Sequence, residues 1–180
     1  MVFLVFAHPY PDRSRANRRL LEAVADLEGV EVRSLYDEYP SFAIDVAVEQ
    51  AALARAAIVV WQHPMYWYSV PGLLKHWFDK VLVRGWAYGE GGTALRGKRC
   101  LWVATTGGDD HAFSPEGMHA RPFEAYVPAM EQTARFCGMH WEDPIIIKGA
   151  HRIPDAALDE AAARYRTRVA ELMAQTRITS

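Results

Sequence analysis

The chain has 180 residues, 51% of them apolar, and a formal net charge of −2. That length suits a single domain, 1–180, with a sizeable core, and the composition is that of an ordered globular protein. The near-neutral charge gives no electrostatic case for nucleic acid or an anionic membrane, and it argues against an acidic electron carrier that docks by charge.

The first apolar run is VFLVFA, Val2 to Ala7, apolar on both faces as a covered parallel strand would be. Ser14 to Leu27 follows with Leu20, Leu21, Val24 and Leu27 at helical spacing, and Gly29 stops it. VEVRSL, Val30 to Leu35, is a weaker strand. Asp45 to Ala57 is alanine-rich with Asp45 as its cap. The strand AIVVW, Ala57 to Trp61, leads into a helix over Val70 to Val83 with Pro71 near its first turn. CLWVAT, Cys100 to Thr105, is the fourth strand, and Phe123 to Phe136 the next helix, ending before Gly138. PIIIK, Pro144 to Lys148, is the last strand, and Asp155 to Met173 the last helix. Strict alternation of strand and helix predicts a doubly wound α/β fold with right-handed crossovers. Five strands favour a flavodoxin-like α/β/α sandwich, a parallel sheet in the order 2-1-3-4-5, over the larger dinucleotide fold. Ligands then bind at the carboxyl ends of strands one, three and four.

Three loops leave those ends. The first, His8 to Arg19, runs into a helix start, whose free N–H groups and positive dipole end favour a phosphate. Ser14 and Asn17 either serve that ligand or simply cap the helix. In the second, WQHPMYWYSVPGLL, Pro64 directs His63 to an extended conformation. Met65, Tyr66, Trp67 and Tyr68 then lie along the loop. Such crowded aromatics need a flat cover, either a planar ligand such as a flavin or another protein surface. The third begins Thr105, Thr106, Gly107, Gly108, where the glycines let backbone approach a ligand closely. Gly92 to Lys98 matches G-x-x-x-x-G-K, but Arg99 replaces the required Ser or Thr and a strand follows, so it is a surface connection.

Other residues take plainer readings. Cys100 and Cys137 form neither a CxxC nor a metal spacing and read as buried thiols of a reducing compartment. No histidine pair at i and i+4 has a carboxylate partner, so no metal site is expected. His151 sits in a loop beside Arg152. Met1 leads straight into the first strand without a signal-peptide pattern, so a cytoplasmic location is expected.

The stretches AHPYPDRSRANRRLLE, QHPMYWYSVPGLLKHWFDKV, GWAYGEGGTALRGK and TTGG resemble the flavodoxin-like NAD(P)H:quinone oxidoreductases. Within that group the likeness is to the ancillary flavoproteins of glutathione-regulated potassium efflux systems. It is specific from the first strand to about Gly108 and looser beyond. It implies a non-covalent flavin, FMN with FAD as the alternative, in a homodimer with active sites at the subunit boundary. The implied flavin contacts are His8, Ser14, Arg15, Ala16, Asn17, Met65, Tyr66, Trp67, Tyr68, Thr105, Thr106, Gly107 and Gly108. The implied activity is ping-pong hydride transfer from NAD(P)H to a quinone. The alternative is a regulatory subunit that activates a potassium–proton antiporter at the inner membrane face; the two are compatible. A one-electron flavodoxin is disfavoured by the charge. Mammalian-type members carry a Tyr and a His downstream of TTGG. Those positions are Phe113 and His119 here, so His119 is the catalytic candidate, and Phe113 has no hydroxyl with which to complete a paired relay.

Overall fold

The computed structural model describes residues 1–178. Strand β1 (Val2–Phe6) is buried along its whole length. Its residues divide by parity, as the two-residue period of a strand demands: Phe3 and Val5 enter one core, Val2, Leu4 and Phe6 the other. Helix α1 (Arg15–Ala25) follows, capped by Ser14, whose hydroxyl accepts from the Asn17 amide at 3.2 Å. The edge strand β2 (Val30–Ser34) is only half-buried, which explains its weaker apolar pattern. A short helix α2 (Leu35–Glu38) comes next, and α3 (Val46–Arg55) is capped by Asp45 as expected. Strand β3 (Ile58–Pro64), α4 (Gly72–Val81), β4 (Arg99–Thr105) and α5 (Val127–Phe136) complete the middle of the chain.

The sheet is parallel, in the order β2-β1-β3-β4 and then a divided edge: β5 (His140–Trp141) and β6 (Ile145–Ile147) both pair with β4. This is the expected flavodoxin-like order with the fifth strand in two pieces. Arg99 pairs with His140, but Val103 pairs with Ile145, so one extra residue is accommodated between them. Pro144 lies in that interval and has no N–H for the ladder. Helix α6 (Asp155–Ile178) packs with α1 on one face through Leu20, Val24, Tyr165 and Leu172. On the other face α3, α4 and α5 cover Trp61 and Trp102, and Trp77 of α4 enters the same core. No helix among the described residues is long and apolar enough to cross a membrane.

Element boundaries differ from the apolar pattern where local chemistry overrides it. Strand β3 runs through Pro64, three residues past Trp61, because it pairs with β4 to its end, Pro64 opposite Thr105. The predicted helix 123–136 opens as a 3-10 turn over Phe123–Tyr126 before α5.

Candidate functional site

The loops after β1, β3 and β4 meet at one rim of the sheet, and contacts tie each to the next. Asn17 on α1 donates through Nδ2 to Thr105 Oγ1 at 2.7 Å. The Met65 amide donates to the Thr105 carbonyl at 2.8 Å. His8 and Tyr66 meet edge to face, 6.5 Å between ring centres. Tyr68 Oη and His119 Nδ1 are 3.3 Å apart. The loop after β6 joins as a fourth wall: a Cβ on Gly107 would lie 3.3 Å from the His151 ring.

Two hollows run along this rim. One, of about 340 Å³, is lined by His8, Tyr10, Arg13, Ser14, Arg15, Ala16, Asn17, Pro64, Met65, Tyr66, Thr105, Thr106, Gly107, Ala150 and His151. The other, of about 290 Å³, is lined by Met65, Trp67, Tyr68, Thr106, Gly107, Gly108, Phe113 and His119. They share Met65, Thr106 and Gly107 and so lie side by side along the rim. Every residue that the sequence reading assigned to the site lines one hollow or both.

The first hollow is built for an anion at one end. The α1 amides of Arg15 and Ala16 have no acceptor among the described residues, as the first turn of a helix requires. Arg13 and His151 stand around them. Arg15 lines the same wall, but its guanidinium is held by Asp155, with Nε to Oδ1 at 3.1 Å, and by the Ile153 carbonyl. Its side chain therefore ties the first loop to α6, and its backbone amide faces the ligand end. The Tyr10 amide donates to His8 Nδ1 at 3.0 Å, which leaves the neutral imidazole's proton on Nε2. Burial lowers the His8 pKa, so the ring is neutral near pH 7. Asn17 is almost wholly buried and pinned by its carbonyl to Gln62, yet its Oδ1 has no donor among the described residues. A buried acceptor left open is costly unless a ligand hydroxyl or amine meets it.

The second hollow presents backbone. Met65 and Tyr66 amides are already used, on Thr105 and Ser69, and the Thr106 amide on Ile147. The amides of Trp67, Tyr68, Gly107 and Gly108 have no acceptor among the described residues. Tyr66 and Ser69 exchange two backbone bonds, 3.2 and 3.0 Å, closing a two-residue hairpin. Its central residues Trp67 and Tyr68 have φ of 49° and 62°. Left-handed backbone costs roughly 1–2 kcal/mol for each non-glycine residue, and such strain gathers at ligand sites. The turn leaves Trp67 92% exposed at the rim. A Cβ on Gly108 would come within 2.8 Å of His119 Nε2, so a glycine there lets the imidazole approach the loop after β4.

Under this floor His63 is fully buried. Trp102 Nε1 can only donate, and it reaches His63 Nε2 at 2.8 Å, so the proton sits on Nδ1 and is given to the Pro64 carbonyl at 2.9 Å. This ring is a structural pin at the point where β3 hands over to the hairpin. Tyr10, Arg13, Ala150 and His151 are site residues that sequence reasoning missed; for the last two the signal was their place just after a carboxyl strand end.

A family model described as flavodoxin-like fold (Flavodoxin_2) matches residues 1–169, and the chain belongs to that family. Its relatives include the glutathione-regulated potassium-efflux system ancillary protein KefF of Klebsiella aerogenes, 52% identical over 94% of both chains. Among solved structures, the general stress protein 14 of Treponema denticola, in complex with FMN, superposes with a TM-score of 0.84. It is 31% identical, with 96% of this chain and 98% of that one covered. A structure described as a thermophilic tryptophan halogenase from Streptomycin violaceusniger gives a TM-score of 0.87 at 37% identity, covering 94% and 98%. These names diverge, so the site must decide the chemistry.

Proposed function

We propose that the protein is an FMN-dependent NAD(P)H:quinone oxidoreductase. One observation carries the reading: two adjoining hollows, each with unpaired amides, at the carboxyl edge of β1, β3 and β4. The residues fit the cofactor. The α1 amides of Arg15 and Ala16, with Arg13, suit its phosphate. Asn17 Oδ1 asks for a hydroxyl donor, which a ribityl chain has. The amides of Trp67, Tyr68, Gly107 and Gly108 suit the acceptor atoms of a flat ring. Bound there, the flavin supplies two-electron chemistry, taking hydride from NADH or NADPH and passing it to a quinone in a ping-pong cycle. The chain's own part is orientation, exclusion of water and placement of protons.

The purified protein is expected to be yellow and to bleach anaerobically with NADPH or NADH. A colourless protein that neither FMN nor FAD reconstitutes would remove the reading. The exposed Trp67 at the rim fits a homodimer in which a second copy covers it, and sedimentation measures that directly.

A second reading is favoured by the identity to KefF: a regulatory subunit at the cytosolic face of a potassium–proton antiporter. Co-purification with the transporter and potassium efflux assays separate it from a free enzyme. The two roles are compatible in one molecule.

A further inference from the structure

We propose that the hydroxyl that protonates the reduced acceptor is that of Tyr68, and that His119 stands behind it as its proton source. The proposal rests on the quinone reductase reading above. Among the residues lining the second hollow, few can give a proton. The Thr106 hydroxyl already donates to the Gly108 carbonyl at 2.7 Å. Phe113 has no polar atom; its ring lies against His119, centres 4.3 Å apart at 30°, and serves as a platform. Tyr68 and His119 remain, and they face each other, Oη to Nδ1 at 3.3 Å.

The pair is held from several sides. Tyr126 stacks on the far face of the Tyr68 ring, 5.3 Å between centres at 19°. The left-handed hairpin is what turns Tyr68 toward a residue 51 positions later in the chain. A relaxed turn in right-handed backbone would splay the strands and aim that ring elsewhere. The strain at Trp67 and Tyr68 thus has a use: it brings a hydroxyl to an imidazole that the local sequence around His119 does not supply.

The step balances. The quinone gains a hydride, with its two electrons, that originates on the nicotinamide donor, and the nicotinamide leaves oxidised. The second quinone oxygen takes the proton from Tyr68 Oη, giving hydroquinone. Tyr68 recovers a proton from His119 Nδ1, and the half-buried imidazole is recharged from water. Tyr68 is the catalytic residue in this scheme and His119 a positioning and relay residue.

The test uses Tyr68→Phe, which removes one oxygen and keeps the ring packing. For the FMN-loaded protein at pH 7, kcat with a benzoquinone is expected to fall at least tenfold with KM within twofold. Reduction of ferricyanide, which takes electrons without a proton, should fall less than twofold. Independently of turnover, the ¹⁵N shifts of His119 in the cofactor-free protein should move, because Nδ1 loses its hydrogen-bond partner. A quinone kcat within twofold of the parent overturns the proposal, as does an equal loss with ferricyanide or an unmoved His119 spectrum. A parent protein that reduces neither acceptor removes the quinone reductase reading itself, and this proposal with it.

Discussion

Glu49→Ala is expected to lower the unfolding free energy by about 3–5 kcal/mol, the usual result of removing one partner from a buried ion pair. Glu49 sits in the first turn of α3 with no exposed surface. Its Oε1 accepts from Tyr39 Oη at 2.7 Å and meets Arg33 Nη1 at 3.0 Å. Its Oε2 accepts from Trp77 Nε1 at 2.9 Å. One carboxylate therefore joins β2, α3, α4 and the segment after α2. Alanine leaves the Tyr39 phenol and the Trp77 indole N–H without their acceptor, each an unmet polar group, and leaves the largely buried Arg33 guanidinium only its longer contacts to Glu31 and Glu38. For a chain of this size the melting temperature should drop by on the order of 10 °C or more. Urea unfolding of the parent, Glu49→Ala and Glu49→Gln measures it, with glutamine intermediate because it keeps one acceptor. A loss under about 1 kcal/mol for alanine would show that this network is not what fixes α3 against α4.

Acidification from pH 7 to pH 4 should cost about 3 kcal/mol through His63 alone. Burial drives its pKa down to about 4 from the ordinary 6.5. The Trp102 indole adds to the difficulty, since a protonated Nε2 would face a second donor. Between pH 6.5 and 4 the unfolded chain holds the extra proton and the folded chain does not. Stability from this group is therefore complete above pH 6.5 and falls as the pH drops toward 4. Urea midpoints across that range should slope more steeply for the parent than for His63→Gln. An imidazole resonance that titrates near pH 6.5 in the folded protein would contradict the prediction without needing the variant. Because the added proton arrives on Nε2, acid should break the contact with Trp102 Nε1 between β3 and β4, while the bond to the Pro64 carbonyl is kept.

The sheet is legible in the sequence because its central strands are apolar on both faces, and only parallel strands under two helix layers need that. The caps at Ser14 and Asp45 are legible because a short oxygen-bearing side chain before an apolar helical pattern has few other uses. The divided edge strand is not, since the extra residue before Ile145 leaves no mark on periodicity. Nor is α2, four residues long, whose helix is set by packing Leu35 and Tyr39 into the core. At the site, the chain order of the strands is enough to bring the three loops together. The partners within it depend on tertiary geometry. Arg15 is a flavin contact by resemblance, and only the fold shows that Asp155, 140 positions away, takes its guanidinium and leaves the backbone amide for that role. Phe113 reads as a lost tyrosine until Tyr68 is found with its Oη 3.3 Å from His119 Nδ1.

The hairpin at Trp67 and Tyr68 also bears on how this protein would respond to engineering. Two of its bulkiest side chains occupy the backbone state that asparagine and glycine tolerate best. A library screened for heat tolerance alone should discard Trp67 early, in favour of such residues. One screened for turnover as well should keep the ring and seek its gains elsewhere.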